Sequence, residues 1–292
     1  MIKELVTIFD FWEIVLKNKK THSYFSLFLL ILFILFLSVI QLNKYLPVSE
    51  TIHVDLPKNN LYAIEAVLYI LLIKEMVEMI YSLTQSITIA QRKQLEILSL
   101  ILIRSTFKEL SDFGDPITWN FNFEHLMHIL GNGFAAIIIF FIIARYYQIE
   151  TYQSLYEKKE IKKFVMEKKI VALVLFFIFF VIIISDIITF IKNQTYSPSF
   201  EKFFTMFIFA DIAIVILSLA YSHLYYAVFR NSGFALVTVL ILLSLIAPHI
   251  YREFLAVLSA LLAYLITYTY NKYIPLIMKS RQKGEFSKEK IF

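Results

Sequence analysis

The chain has 292 residues, of which 59% are hydrophobic and 17% are charged, with no cysteine and a formal net charge of +5. Soluble domains have roughly 45–50% apolar and about 25% charged residues. This composition, with a mean hydropathy of +0.69, excludes an ordinary soluble protein and predicts a multi-pass membrane protein. The lack of cysteine excludes disulfides, thiolate metal sites and cysteine nucleophiles. Because the basic residues cluster in short loops between apolar runs, we expect no nucleic-acid partner.

The first 22 residues predict an amphipathic helix on the membrane surface. Leu5, Phe9, Trp12 and Leu16 recur at helical spacing, and lysines follow at positions 17, 19 and 20. An apolar stripe with a basic end is typical of a helix that lies in the membrane interface. We therefore expect residues 1–22 to lie on the cytoplasmic face of the membrane.

Apolar runs long enough to cross a bilayer follow along the chain. A helix needs about 20 apolar residues to span the roughly 30 Å hydrocarbon core. The run 233–270 contains Pro248, His249, Arg252 and Glu253, which predict a turn that divides it into two spans. The predicted spans are then 23–42, 61–83, 123–147, 170–191, 203–229, 233–247 and 254–270.

The distribution of lysine and arginine predicts an eighth crossing at residues 93–113. With seven spans, the two sides of the membrane carry 11 and 15 basic residues, which is no clear bias. With an eighth span they carry 19 and 7, and both termini share a side with the basic segment 157–169. Basic residues concentrate in cytoplasmic loops, so we predict eight helices with cytoplasmic termini. The alternative is seven spans, with 93–113 folded back along the interface.

These elements predict an all-α fold, a polytopic integral membrane helix bundle. A first group of transmembrane helices occupies residues 23–147, and a second group occupies 170–272. Short connections within the second group are typical of antiparallel helix hairpins. A basic cytoplasmic elbow, 148–169, joins the two groups, and a basic cytoplasmic tail, 273–292, follows the second.

The stretch LLIKEMVEMI, residues 71–80, places Lys74, Glu75 and Glu78 inside an apolar run. Ionisable groups at membrane depth cost a few kcal/mol each, so they usually face a partner or line a polar path. Lys74 and Glu78 stand four residues apart, where opposite charges pair on a helix. The cluster is therefore an internal staple or, where one glutamate lacks a partner, part of a path for protons or cations. The candidate charge partners on the adjoining helix are Arg92, Lys93 and Arg104.

Three further acids are candidates for an ion path. Glu65 lies about one turn from the outer end of the second predicted helix, and Asp186 and Asp211 lie in neighbouring helices. At 1.5 Å per residue, the two aspartates are predicted at depths of about 8 and 12 Å, where they could meet. Two carboxylates at similar depth share a proton or bind a cation. The alternative is that each one bonds separately to a neighbouring hydroxyl.

The stretch FEHLMHILGNG offers metal ligands or haem-facing imidazoles. Glu124, His125 and His128 stand at helical spacing in it. A matching histidine pair for a bis-histidine cytochrome is missing, and the order of residues is not the HExxH arrangement. A metal or haem site is therefore a minor alternative to a polar helix entrance, and no cofactor is expected.

No recognisable enzyme motif occurs in the chain. A P-loop, a GxSxG elbow, a nucleotide fingerprint and a paired-aspartate motif are all missing. We therefore expect a non-enzyme: a channel or transporter for protons or small cations in the lipid bilayer, with a homo-oligomer as one possible assembly. The alternative is a non-transporting anchoring, assembly or signalling subunit, whose cytoplasmic protein partner docks on residues 157–169 and the basic tail.

Overall fold

The computed structural model of the chain describes Phe9, Ile14, Val15 and residues 18–45, 59–111, 123–149, 158–193, 200–220 and 225–289. These residues form α-helices and, within the described ranges, no β-strand. The helices are α1 (Lys19–Tyr45), α2 (Leu61–Ser82), α3 (Ile87–Ser111), α4 (Phe123–Tyr147), α5 (Lys158–Asn193), α6 (Phe200–Leu219), α7 (Tyr225–Ile246) and α8 (His249–Glu289). The predicted all-α fold is confirmed.

Five of the described helices are long and apolar enough to cross a membrane. Their apolar stretches are Lys19–Lys44, His125–Tyr147, Lys163–Asp186, Tyr225–Ile246 and His249–Tyr273. Large apolar side chains remain exposed on these helices, such as Leu30 on α1 and Phe140 on α4, each more than half exposed. A lipid surface covers such faces without cost, so the five helices support a multi-pass membrane protein.

Helix α3 lies at the centre of the bundle and packs against α2, α4, α7 and α8. Its side chains Leu95, Ile97 and Leu98 have no exposed surface, and even the polar Gln94 is fully buried. By contrast, only 6% of the apolar stretch of α1 is buried. Because the neighbours of α3 are protein side chains, it carries polar residues that a helix facing lipid tolerates poorly. This central position explains how a helix forms over the mixed sequence of residues 93–113.

The prediction of one span over residues 203–229 is wrong. Helix α6 ends at Leu219, and α7 begins at Tyr225 and continues to Ile246. The segment therefore belongs to two helices, and α7 starts well before residue 233. Hydropathy missed the break because the connecting residues 220–224, AYSHL, are too few to lower the average over a window of about 19 residues.

The two predicted helix groups pack as one bundle. Helix α8 contacts α4 and α3, α7 contacts α3, and α5 contacts α2, so the interface between the groups is extensive. The described part of the basic elbow, 158–169, forms the first turns of α5, and the basic tail continues α8 to Glu289. In the N-terminal segment, Phe9 is buried with its ring centroid 4.5 Å from that of Tyr81. The other apolar residues of the predicted amphipathic stripe, Leu5, Trp12 and Leu16, lie outside the described residues.

Candidate functional site

A cluster of five charged side chains joins α2 to α3, and we call it the Lys93 cluster. Lys93 Nζ lies 2.5 Å from a Glu75 oxygen, 2.9 Å from a Glu78 oxygen and 3.2 Å from a Glu96 oxygen. Lys74 bridges back to Glu78 and lies 3.5 Å from Glu75. All five side chains are between 13% and 27% exposed, so they are largely shielded from solvent.

The geometry of the Lys93 cluster is that of a staple between two helices. Glu75 and Glu78 each contact two ammonium groups, one from their own helix and one from α3. The third acid, Glu96, accepts a hydrogen bond from the hydroxyl of Tyr147 on α4. Every carboxylate of the cluster is therefore paired, which offsets the cost of its burial. None of them is left to exchange a proton without breaking an ion pair.

Two other basic residues named from the sequence have aromatic partners. The Arg92 guanidinium lies 4.9 Å and 5.0 Å from the ring centroids of Tyr146 and Tyr147, and it donates to the Ile149 carbonyl at 3.4 Å. Arg104 lies 5.4 Å from the ring centroid of Tyr69 on α2. Cation–π contacts of this kind favour an arginine in a partly desolvated site. Of the three candidate partners for the glutamates, the structure places Lys93 against them.

The opposite face of α3 carries a second polar group, the Asp211 cluster, which consists of Asp211, Gln94, Gln91 and Thr238. The Gln94 amide donates to an Asp211 carboxylate oxygen at 3.1 Å, and the Thr238 hydroxyl donates to the same oxygen. The Gln91 amide donates to Gln94 Oε1 at 2.9 Å and to the Thr238 hydroxyl oxygen at 3.1 Å. Gln91, Gln94 and Thr238 are fully buried. In the described part of the chain, both hydrogen bonds to Asp211 come from uncharged side chains.

The hydrogen bonds of this cluster suit both protonation states of Asp211. The Thr238 hydroxyl carries one proton, but besides the carboxylate it has Gln94 Oε1 at 2.9 Å and the Phe234 carbonyl at 3.2 Å as acceptors. When Asp211 is ionised, the hydroxyl donates to the carboxylate. When Asp211 is protonated, it donates to the Thr238 oxygen, and the hydroxyl turns to another acceptor. Rotation of one hydroxyl therefore keeps the cluster bonded in either state.

Asp211 lines a small crevice between α6, α7 and the turn that joins α2 to α3. Leu83, Ile87, Ala90, Ile214, Val215, Asn231, Phe234 and Ala235 form the rest of its wall. Beside it, the buried ammonium of Lys168 donates to the Gln85 carbonyl and acts electrostatically on Asp211. No basic side chain of the described residues lies within ion-pair distance of Asp211. Asp211 therefore has a positively charged neighbour, Lys168, but forms no direct ion pair with it.

The structure does not bring Asp186 and Asp211 together. The Phe179 and Phe203 rings pack with centroids 4.9 Å apart, which fixes the register of α5 against α6. In this antiparallel pair the two aspartates lie on opposite sides of the phenylalanines, about 22 Å apart along the axes. Asp186 instead lines a separate crevice with Tyr69 of α2. The expectation that they meet fails because α5 extends several turns beyond the start of α6. The Glu65 side chain lies outside the described residues.

A third cluster forms where the end of α3 meets the starts of α4 and α8. His125 Nδ1 lies 3.0 Å from a Glu109 oxygen, and His128 and His249 lie beside the same carboxylate. Of the sequence-derived metal candidates, His125 and His128 are therefore here, whereas the Glu124 side chain lies outside the described residues. Glu109 and His249 were not identified from the sequence. Glu109 could have been identified because it lies near the end of α3, beside the start of α4 that carries the two histidines. Nothing in the sequence around His249 indicates that it joins this group.

Comparisons of the chain with protein-family models, with curated proteins and with solved structures find no match. The class of protein therefore rests on the fold alone. The residues that the structure describes form an all-helical protein with five helices able to cross a membrane, built around a buried polar helix.

Proposed function

We propose that this chain is a multi-pass membrane transporter or channel for protons or small cations, in which Asp211 handles the ion. In this proposal α1 to α8 make eight crossings, with the polar helix α3 shielded from lipid by its neighbours α2, α4, α7 and α8. Both termini and the residue 157–169 segment lie on the cytoplasmic side, as the excess of lysine and arginine there favours. The first 22 residues lie along the same surface as an amphipathic helix.

One observation carries the proposal: the Asp211 carboxylate, inside the helix bundle, is held by neutral hydrogen-bond partners. A carboxylate at membrane depth is costly, and it persists where it serves an ion or proton path. The pairing of Asp211 with Gln94 and Thr238 leaves its charge free to be neutralised by a proton or a small cation. The hydroxyl that serves both protonation states supports a group that loads and releases a proton repeatedly.

The two crevices beside α6 suggest the course of the path. One contains Asp186 and the other contains Asp211, and both include side chains of α6. Between them Phe203, Phe204 and Phe207 are fully buried and form an apolar layer. An apolar layer between two crevices that each hold a carboxylate is the arrangement of a closed gate, since water and ions are excluded from it. In this proposal Asp186 and Glu65 serve the half of the path that lies beyond the layer.

Flux from reconstituted protein tests the proposal. The purified chain is placed in liposomes, and proton, sodium, potassium and chloride flux are measured under an imposed potential. We expect flux of protons or of one small cation, lost in Asp211→Asn because an amide neither releases a proton nor carries a charge. Asp186→Asn is expected to slow the same flux.

Two results contradict the proposal. The first is wild-type flux that persists in Asp211→Asn when both proteins elute as folded, monodisperse species. The second is a folded wild type that passes none of the four ions. Empty liposomes and liposomes that hold heat-denatured protein provide the background rate.

The Lys93 cluster favours a second candidate function, a non-transporting anchoring, assembly or signalling subunit. A bundle whose buried charges only cross-link helices needs no ion path, and every carboxylate of this cluster is paired. Its protein partner would dock on the basic residues 157–169 and the tail. Specific capture of one partner that depends on Lys163 and Lys169, with no ion flux, supports this function over transport.

A further inference from the structure

Three helix ends meet at the end of the bundle farther from the Asp211 cluster. Glu109 lies in the last turn of α3, His128 in the second turn of α4, and His249 is the first residue of α8. Their side chains are 15%, 18% and 32% exposed, so water reaches the group only in part. The fold thus gathers two imidazoles and one carboxylate that are far apart in the sequence.

The distances within this group fit a shared ligand. His128 Nδ1 lies 4.0 Å from one Glu109 oxygen, and His249 Nε2 lies 3.9 Å from the other. One ligand atom from each of the three residues falls within 4.8 Å of the others. Metal–nitrogen and metal–oxygen bonds of about 2.0–2.2 Å put tetrahedral ligand atoms about 3.4 Å apart. The 3.9 and 4.0 Å separations must shorten by roughly half an ångström, and any longer one within the 4.8 Å limit by at most about 1.4 Å, which side-chain rotation can supply.

Buried nitrogen atoms in the group lack partners. In the described part of the chain, Nδ1 of His128 and Nδ1 of His249 have no hydrogen-bond partner and no solvent contact. The two rings also stack in parallel, with centroids 3.6 Å apart. Buried unsatisfied polar atoms are costly, and the unpartnered Nδ1 of His128 is the atom that faces Glu109, so a bound ion would satisfy it. The lone pairs of stacked rings lie in nearly parallel planes, so one ring turns out of the stack when both imidazoles bind the same ion.

We infer that Glu109, His128 and His249 form a binding site for a divalent transition-metal ion of the zinc class. Imidazole suits zinc, copper, iron and nickel, whereas magnesium and calcium select oxygen ligands. Two histidines and one carboxylate leave a fourth coordination position open for water or another ligand. The site is independent of the transport proposal, because it lies on a different set of residues.

Neighbouring side chains support the three ligands. His125 Nδ1 contacts a Glu109 oxygen at 3.0 Å and acts as a positioning residue for that carboxylate. Arg252, the nearby cation, donates to the Ser105 hydroxyl at 3.3 Å. The Glu253 carboxylate packs against Gly131, where an added Cβ would lie 3.4 Å from its Oε1 atom. Among the described residues, the Glu109 and Glu253 carboxylates and the Arg252 guanidinium all act electrostatically on His249, an excess of negative charge that favours a bound cation.

Metal binding by the purified full-length chain tests this inference. The protein is stripped with a chelator in detergent and titrated with Zn²⁺, and bound metal is counted by mass spectrometry after desalting. We expect one Zn²⁺ per wild-type chain, with binding lost in His128→Gln and in His249→Gln. His125→Gln is expected to weaken binding by roughly 10-fold to 100-fold, as loss of an outer-shell partner does. His22→Gln on the exposed start of α1 is the matched control and binds as the wild type.

If the histidine variants do not fold, the visible absorption spectrum of Co²⁺ bound to the wild type tests the inference instead. Tetrahedral Co²⁺ absorbs strongly in the visible range, and we expect this spectrum to disappear when Zn²⁺ is added. A wild type that binds no zinc, a six-coordinate Co²⁺ spectrum, or folded His128→Gln and His249→Gln variants that bind like the wild type would each overturn the inference.

Discussion

The two faces of α3 carry polar clusters of opposite character. On one face Lys93 contacts three carboxylates of α2 and α3, whereas on the other face its neighbour Gln94 contacts the lone carboxylate of Asp211. In the first cluster each acid contacts at least one lysine, whereas in the second the donors are neutral. Position in the sequence does not distinguish the two clusters, because the adjacent residues Lys93 and Gln94 belong to different ones. The partners of an acid, and not its depth, decide what it can do.

Under the proposed function, charge pairing makes the first cluster a stabilising contact and leaves the second cluster for the ion. Removing one partner of a buried ion pair leaves an uncompensated charge, which costs more than the pair contributed. A carboxylate that is bonded to neutral groups loses little when it binds a proton, because its donors remain. The comparison therefore predicts large stability effects at the Lys93 cluster and large flux effects at the Asp211 cluster.

The largest stability effect is expected for Lys93→Met. This change keeps most of the side-chain volume but removes the charge that Glu75, Glu78 and Glu96 share. We expect the free energy of unfolding to fall by about 3 kcal/mol, the low end for a buried pair, because the group is partly exposed. Reversible denaturation in mixed micelles measures it.

A compensating change provides the control for Lys93→Met. The double variant Lys93→Met/Glu75→Gln removes one charge of each sign and leaves the Lys74 and Glu78 pair intact. We expect it to unfold within about 1 kcal/mol of the wild type. A double variant that is as unstable as Lys93→Met alone would mean that packing, and not charge, holds this face of α3.

An intermediate effect, on flux, is expected at Thr238. Thr238→Val removes the hydroxyl that serves both protonation states of Asp211, whereas Thr238→Ser keeps it. Loss of one hydrogen bond is worth about 1 kcal/mol, so we expect roughly fivefold slower flux in the valine variant. Flux per folded chain is the measurement. Equal rates in the two variants would remove the hydroxyl from the mechanism.

The smallest effect is expected for Tyr147→Phe. This variant deletes the hydroxyl that donates to Glu96 but keeps the ring on which Arg92 rests. Side-chain hydrogen bonds in membrane proteins average about 0.6 kcal/mol, and we expect a stability loss of that size. Flux should not change. A variant of normal stability with altered flux would connect the Lys93 cluster to the ion path and break the distinction between the two faces.

Helix positions and one charge pair were predictable because their signals are local. Hydropathy identifies α1 and α4, and the four-residue spacing of Lys74 and Glu78 identifies their pair. The helix over α3 came from charge bias, since its own composition is mixed. The break between α6 and α7 was missed because it is short and lies between two apolar helices. Local patterns thus describe elements well when composition changes at their ends.

Contacts between distant segments were not predictable from one sequence. His128 and His249 stack although 121 positions separate them, and nothing in the sequence near either residue indicates the other. The register of α5 against α6 is set by phenylalanine packing, so depths counted from predicted helix ends misplaced Asp186 relative to Asp211. Lys93 was one of three candidate partners, and only the packing of α2 on α3 selects it.

Two carboxylate-to-amide variants, measured side by side, test the central claim most directly. Asp211→Asn and Glu78→Gln are reconstituted at equal amounts of folded protein, and proton and small-cation flux are compared with the melting temperature of each. We predict that Asp211→Asn loses flux but melts near the wild type, whereas Glu78→Gln melts lower but keeps its flux per folded chain. Flux that survives in Asp211→Asn and disappears in Glu78→Gln would contradict the account.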